Sequence, residues 1–315
     1  MGAPLRTVFF GTPLFAVPSL DLLLASRHQL LAVVTQPDRP KGRGQRTTAA
    51  PVKARALEYG LTVLQPESMK DSAFLGVLHD LAPDVGIVVA YGKILPEAVL
   101  SIPRLGLLNV HASLLPRYRG AAPVQRAVMA GERHTGVVIM RVVGALDAGP
   151  VLARQHRPIG PDETSVEVEQ DLARMGAALL ASTLDSLAAG LCREEPQDEG
   201  AATYAPRLAK REGLIEWSRP AADIHNMVRG LYPWPHAYSF LDRQRIILLR
   251  TAALADAARE VPGTVLLARG SDLRVATGEG TLAILELKAE GARSMHAREF
   301  LAGHPVAPGS RFAQF

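Results

Sequence analysis

The chain has 315 residues, 48% of them hydrophobic and 21% charged, which is material for two packed domains and excludes a disordered chain. Its single cysteine, Cys192, rules out an intrachain disulfide framework and reads as an incidental small residue. No apolar run approaches the roughly 20 residues of a membrane helix, so a cytoplasmic protein is expected, with a monomer as the default state. The formal net charge is +4, and all of that excess lies from Arg207 onward, where 15 Lys and Arg face 11 Asp and Glu. Such an excess is compatible with a nucleic-acid partner.

Residues 5–10 read as a buried strand; the run Val8-Phe9-Phe10 is too short for a signal-peptide core. Residues 13–26 read as a helix with Phe15, Leu20, Leu23 and Leu24 on its apolar face. Further strands are predicted over 30–35, 85–90, 107–110 and 137–142, and helices over 51–59, 124–130 and 165–189. Strand–helix alternation at this spacing predicts a mostly parallel sheet covered on both faces. Ligands bind beyond the carboxyl ends of such strands. The rule points to 11–13, 35–46, 91–93 and 109–120 as functional segments.

Residues 194–200 are polar, with Pro196 and Gly200, and read as the start of a linker. Beyond it come a helix over 221–229 and short strands over 246–250, 264–268, 273–277 and 282–288, punctuated by glycines. That pattern suggests a small antiparallel barrel. The expected division is 1–190, a linker 191–206, and 207–315.

Three residues suggest chemistry. Asn109 and His111 end an apolar strand two positions apart, so both side chains face one way. Asp147 lies in the glycine-flanked turn 144–149. An amide can donate to a developing oxyanion, an imidazole can relay a proton near neutral pH, and a carboxylate can hold that imidazole. The set suits acyl transfer to an amine with no enzyme nucleophile. Each residue also has a bland reading: a hydrogen-bonded structural His, a turn-capping Asn, a turn-forming Asp. No nucleophile-elbow pattern surrounds Ser113, and the nine histidines show no metal-ligand spacing.

The string Asn109-Val-His-Ala-Ser-Leu-Leu-Pro-Arg-Tyr-Arg-Gly120 closely resembles the signature of folate-dependent formyltransferases. That resemblance implies catalytic roles for Asn109, His111 and Asp147. It also implies folate contacts from Ser113, Leu114, Leu115 and Pro116, and from main chain near Val88, Val89, Ala90 and Tyr91. The basic string 36–44 resembles the insertion loop that methionyl-tRNA formyltransferases use to reach the tRNA acceptor end. It implies a tRNA contact by Arg43, with Lys41 and Arg46 as secondary candidates. Ile215-Glu-Trp217 and Pro233-Trp-Pro235 are similar to the start of that subfamily's C-terminal barrel. The resemblance implies a Rossmann-like formyltransferase domain followed by a smaller OB-like, tRNA-binding barrel. It further implies transfer from 10-formyltetrahydrofolate, without a metal, to the amino group of methionyl initiator tRNA. Four positions depart from the pattern: Ala112 and His236 where Gly is common, Ala148 where Thr is common, and Pro150 where an acid is common.

Three other classes fit less well. A purine-pathway formyltransferase needs neither barrel nor basic loop. A dinucleotide-dependent dehydrogenase needs G-x-G-x-x-G, which Gly11-Thr12-Pro13 is not. A non-catalytic tRNA binder leaves Asn109, His111 and Asp147 unexplained.

Overall fold

The computed structural model describes residues 2–38, 40–41, 46–256 and 258–313. In chain order the first elements are β1 (Arg6–Gly11), α1 (Val17–Leu24), β2 (Gln29–Val34), β3 (Pro40–Lys41), β4 (Arg46–Thr47), α2 (Pro51–Glu58), β5 (Val63–Leu64) and α3 (Ser72–Leu81). Then follow β6 (Val85–Val89), α4 (Glu97–Leu100), β7 (Leu107–His111), α5 (Pro123–Met129), β8 (His134–Arg141), β9 (Val151–Pro158) and α6 (Ser165–Ala188). The helix expected over 13–26 divides in two. Leu14–Ala16 forms a 3-10 turn, and Pro18 takes the first turn of α1, where its missing N–H leaves no bond unmade.

The large sheet has the order β5-β2-β1-β6-β7-β8-β9. The pairs β5–β2, β2–β1, β1–β6 and β6–β7 are parallel, and β7–β8 is antiparallel. From β1 the chain first builds outward through β2 and β5, then returns to add β6 and β7 on the other side. The order therefore reverses between β1 and β6, which opens a crevice beyond their carboxyl ends. On one face Val8, Phe10, Val34, Tyr91 and Leu107 pack with Met69, Phe74, Leu78, Leu95 and Val99. Phe9, Val33 and Ile87 are fully buried as well. Strands buried on both sides explain the continuous apolar runs in the sequence.

Six of these elements, β3, β4, β5, α3, α4 and β9, carry no expectation from the sequence. α3 starts at Asp71, whose carboxylate accepts from the Ala73 N–H at 3.0 Å, and it buries Phe74 and Leu78. β5 is only two residues long. β9 is mostly exposed along Ala153–His156, and such a polar edge strand lacks the alternation that marks a half-buried one.

The remaining elements are α7 (Ala221–Gly230), β10 (Ala237–Leu241), β11 (Gln244–Leu254), β12 (Val265–Arg269), β13 (Asp272–Ala276), β14 (Thr281–Ala289), β15 (Met295–His296), α8 (Ala297–Gly303) and β16 (Phe312–Ala313). They build an antiparallel sheet in the order β12-β13-β14-β11-β10-β16. A bridge between Thr264 and Arg311 joins its two ends, so the sheet curls into an OB-like barrel. Its core holds Trp217, Ile224, Ile246, Leu248, Val275, Leu282, Phe300 and Phe312. The indole of Trp217 donates to Ser239 Oγ at 2.9 Å and packs against Phe312. The Ile215-Glu-Trp217 string is therefore a core anchor.

The chain divides into two compact units that do not follow sequence order. The first runs up to Pro123 and adds Thr135–Arg157 and Glu169–Ala205. The second takes Val124–His134, Pro158–Val168 and everything from Pro206. Residues 191–205 of the expected linker 191–206 belong to the first unit: Glu195 pairs with Val151, and Tyr204 with Arg119.

Candidate active site

The site grows from the end of β7. Asn109 pairs with Val88 of β6 on one side and with Met140 of β8 on the other. Its side chain is half-buried, and among the described residues no hydrogen bond engages its amide. His111 is buried at 6% exposure. Its Nε2 lies 3.0 Å from the Tyr118 carbonyl, and its Nδ1 lies 3.7 Å from Asp147 Oδ2. A carbonyl oxygen only accepts, so Nε2 carries the ring proton in the neutral form and Nδ1 presents its lone pair toward Asp147.

β8 runs antiparallel, with Arg141 beside Leu108. The loop after β8 therefore leaves near the start of β7, and it must run back along that strand to bring Asp147 to His111. Asp147 has a φ of 47°, a left-handed conformation unusual for a residue other than Gly or Asn. Its Oδ2 accepts from the Gly120 N–H at 2.8 Å. The carboxylate thus ties the 142–150 loop to the 112–120 loop as well as facing His111.

The 112–120 loop turns most of its side chains inward. Ser113 is fully buried and donates to the Arg117 carbonyl at 2.7 Å. Leu115 packs with Val138, Met140 and Val151, and the Leu115–Pro116 bond is cis. Leu114 covers Gly136, where a Cβ would come within 2.5 Å of its Cδ2. Pro116 remains half-buried. This side of the crevice accordingly offers main chain more than side chain. Ala112 takes no left-handed φ, so the loop does not need Gly there.

At β6 the chain turns sharply, with φ of 48° at Ala90 and 81° at Gly92. Ala90 is exposed, whereas Val88 is half-buried and Val89 buried. Tyr91 is buried: its hydroxyl donates to Met69 Sδ at 3.1 Å, and burial pushes its pKa up to about 12. Its carbonyl accepts from Gln36 Nε2 at 2.8 Å and from Thr12 Oγ1 at 3.2 Å. Gln36 and Thr12 thereby stitch together the carboxyl ends of β1, β2 and β6. Leu14 and Ile94 stand on the loops after β1 and β6, 67% and 88% exposed. Both leave a large apolar side chain exposed on those loops, which the sequence did not single out.

The basic segment lies partly outside the described residues, Arg43 among them. Lys41 and Arg46 are opposite one another in the β3–β4 pair. The entry to this segment is anchored by Asp38, which accepts from Lys53 Nζ at 2.5 Å and from Gln65 Nε2 at 3.1 Å. The hydrogen bond from Lys53, with Gln65 beside it, holds the Asp38 carboxyl below its usual range.

Comparison with known proteins shows the family. A family profile described as formyl transferase matches residues 5–184, and one described as formyl transferase, C-terminal domain, matches 207–305. A methionyl-tRNA formyltransferase of Pelobacter propionicus is 48% identical across 96% of this chain and 94% of its own length. One from Caldanaerobacter subterraneus is 45% identical across 97% of this chain and 99% of its own. The chain belongs to the methionyl-tRNA formyltransferase family.

Solved structures of low identity share the fold. An N-formyltransferase from Helicobacter canadensis, in complex with folinic acid and dTDP-3-aminofucose, superposes with a TM-score of 0.69. It is 16% identical and covers 93% of this chain and all of its own. HypX from Aquifex aeolicus in complex with tetrahydrofolic acid superposes with a TM-score of 0.65 at 17% identity, over 99% of this chain and 51% of its own. Among the described residues no helix is long and apolar enough to cross a membrane, and no group of three or more His, Cys, Asp or Glu is placed to hold a metal ion.

Sequence reasoning found Asn109, His111 and Asp147, and the structure brings His111 and Asp147 together at the carboxyl end of β7. It missed Gln36, Arg119 and Gln197. Gln36 opens the basic string and carries its own signal by following β2; the other two are buried polar groups whose partners are distant in sequence.

Proposed function

We propose that the chain transfers the formyl group of 10-formyltetrahydrofolate to the α-amino group of methionyl initiator tRNA, forming N-formylmethionyl-tRNA for translation initiation. One observation carries the reading: an Asn109 amide with no hydrogen bond among the described residues, two positions along β7 from the His111 that meets Asp147, in a chain that matches this family over 96% of its length. The donor, bound beyond β1, β6 and β7, supplies an electrophilic N-formyl carbon. Main chain around Val88–Tyr91 and the Ser113–Pro116 loop hold it, and Leu14 and Ile94 cover it with apolar surface.

An α-amino group has a reference pKa of about 7.7–8.0, so near neutral pH it must lose a proton before or during attack. His111 Nδ1 receives that proton directly or through a water, and Asp147 then faces the new N–H. Asn109 donates to the formyl oxygen as it gains negative charge; when the tetrahedral intermediate collapses, the bond from the formyl carbon to N10 breaks, and N10 takes a proton back from His111 and leaves as tetrahydrofolate. Water need not enter as a nucleophile, because the acceptor amine is one.

The tRNA is held chiefly by charge. Arg43, Lys41 and Arg46 reach the acceptor end. The 207–315 barrel offers a second surface on the outward side of β10, β11 and β14. There the Arg245 guanidinium lies 3.8 Å over the Tyr238 ring, and Lys288 sits across from Ile247. Cations with an aromatic face suit a nucleic acid backbone and its bases. A cytoplasmic monomer is the simplest setting for this activity.

The test is a formylation assay with 10-formyltetrahydrofolate and purified methionyl initiator tRNA, beside glycinamide ribonucleotide and free methionine. Product is expected with the charged tRNA alone. Equal product with a small amine would overturn the acceptor assignment, and no product with any acceptor would overturn the reaction.

A further inference from the structure

The segment 197–205 lies far from Asn109 in sequence, yet it holds both loops of the site. The Tyr118 N–H donates to Thr203 Oγ1 at 2.9 Å, the Arg119 N–H to the Thr203 carbonyl at 2.8 Å, and the Ala205 N–H to the Arg119 carbonyl at 2.7 Å. Gln197 connects this strap to Asp147. Its Nε2 donates to the Asp147 carbonyl at 2.8 Å and to the Gly149 carbonyl at 2.7 Å. Its Oε1 accepts from Arg119 Nε at 3.1 Å and from Arg119 Nη2 at 2.9 Å.

Both amide protons and both oxygen lone pairs of Gln197 are therefore used, and the amide can point only one way. Arg119 is itself 2% exposed and is fixed by Glu199, which accepts from Nη1 at 2.8 Å and from Nη2 at 2.7 Å. The hydrogen bonds that Arg119 donates to Glu199 hold its pKa above its ordinary value, so the guanidinium stays charged and keeps its donors. At the other end, Asp147 occupies a left-handed φ. Gln197 grips the main chain on both sides of Ala148 and fixes the turn there.

We infer that Gln197 is a positioning residue for the His111–Asp147 pair, acting through the Asp147 main chain from a rigid Arg119–Glu199 anchor. The inference rests on the reading of that pair as the group that takes up the amine's proton. No other side chain of this size donates twice and accepts twice. A Glu in its place keeps the pull on Arg119 but sets a carboxylate oxygen against two carbonyls. A Met keeps the length and loses all four bonds.

The test compares Gln197→Glu, Gln197→Met, Asp147→Asn and the double variant Gln197→Met/Asp147→Asn in the full chain, after confirming cooperative melting. Misplacing a reacting group by about 1 Å costs on the order of 10²-fold in rate. Each Gln197 variant is expected to lose roughly 10–100-fold in kcat by that argument. KM for donor and charged tRNA should stay within about twofold, because the binding surfaces are untouched. The pH dependence of kcat should change in both variants, since Asp147 no longer meets His111 at the same distance. Adding Gln197→Met to Asp147→Asn should cost little more than Asp147→Asn alone.

Full kcat with an unchanged pH profile in the Gln197 variants would overturn the inference, as would losses that add in the double variant. Should Gln197→Met fail to fold, Gln197→Glu, with its Arg119 contact kept, answers the same question. The outcome that sinks the underlying pair is different: Asp147→Asn would itself keep full turnover and the parental pH profile.

Discussion

A half-buried amide with no hydrogen bond gives up part of its hydration without protein partners to replace it, a cost that a purely structural Asn avoids by pairing. Asn109 is such a residue among those described, and it stands two positions from His111 on one face of β7. Losing one oxyanion donor costs on the order of 10²–10³ in turnover in acyl transfer. Asn109→Ala is therefore expected to lower kcat by roughly that factor while tRNA binding, read by filter retention, stays close to the parent. Parental turnover in this variant would remove Asn109 from the chemistry. At this scale the sequence was legible wherever the signal was local. The i, i+2 spacing put Asn109 and His111 together because strand side chains alternate. The approach of Asp147 followed only from the family resemblance, because no local pattern says that a loop leaving β8 returns along β7. Gln197 was illegible for the same reason: its four hydrogen bonds reach residues 48 to 78 positions away. The departure at His236 also acquires a physical meaning. Its φ is 68°, the left-handed region that glycine adopts at no steric cost, so the usual Gly and this His meet the same backbone demand.

Among elements, those with strong periodicity or a firm stop were read closely. β1, β2, β6, β7, α2 and α6 lie within a few residues of expectation, since buried parallel strands give continuous apolar runs and long amphipathic helices repeat their pattern. β10 was missed although its burial alternates cleanly along Ala237–Leu241. Its hairpin turn to β11 is Asp242-Arg243, both left-handed at φ 49° and 64°, where Asn-Gly or Asp-Gly would be the recognisable signal. Under the proposed function, the basic segment after β2 bears most directly on substrate choice. Asp38, Lys53 and Gln65 clamp its entry, so its charge is presented from a fixed base. A hydrogen bond to a charged group contributes about 1.5–3 kcal/mol. Removing one such contact to tRNA by Arg43→Ala should lower kcat/KM for charged initiator tRNA by roughly 10–100-fold. The slope of log Kd against log salt should shrink by slightly less than one phosphate contact. Normal kinetics with that substrate would show that the segment serves something other than tRNA.

Across the whole molecule, the pH dependence of stability follows from two histidines that folding keeps neutral. His28 accepts from the Leu5 N–H at Nδ1, 3.1 Å away, which fixes the proton on Nε2. Burial lowers its pKa and outweighs the attraction of Asp185, 3.5 Å from Nε2, while Arg27 adds to the lowering. His236 is lowered by burial and then by the charges of Lys288 and Arg245, and its Nδ1 has no partner among the described residues. In the unfolded chain both rings titrate near their ordinary value of 6.5. Below that value the unfolded chain binds protons that the folded chain refuses, so stability falls as pH drops from 6.5 toward the folded pKa values. The slope is half its full value at pH 6.5 and fades to almost nothing by about pH 7.5. A second loss follows at lower pH from carboxylates that folding holds low. Glu167 is held by its hydrogen bonds from Thr164 at the start of α6, Asp171 by Arg157 and Glu212 by Arg126; their stabilisation is full above the unfolded carboxylate range and disappears as pH falls through the folded pKa values. Urea midpoints measured at pH 7.5, 6.5 and 5.5 should therefore decline slightly over the first interval and more steeply over the second. His236→Gly removes one of the two rings at a position whose φ suits glycine, so it should fold and show a shallower decline between pH 6.5 and 5.5. A decline equal to that of the parent would mean that His236 is as free to protonate in the folded chain as in the unfolded one, and that the slope belongs to His28 and other groups.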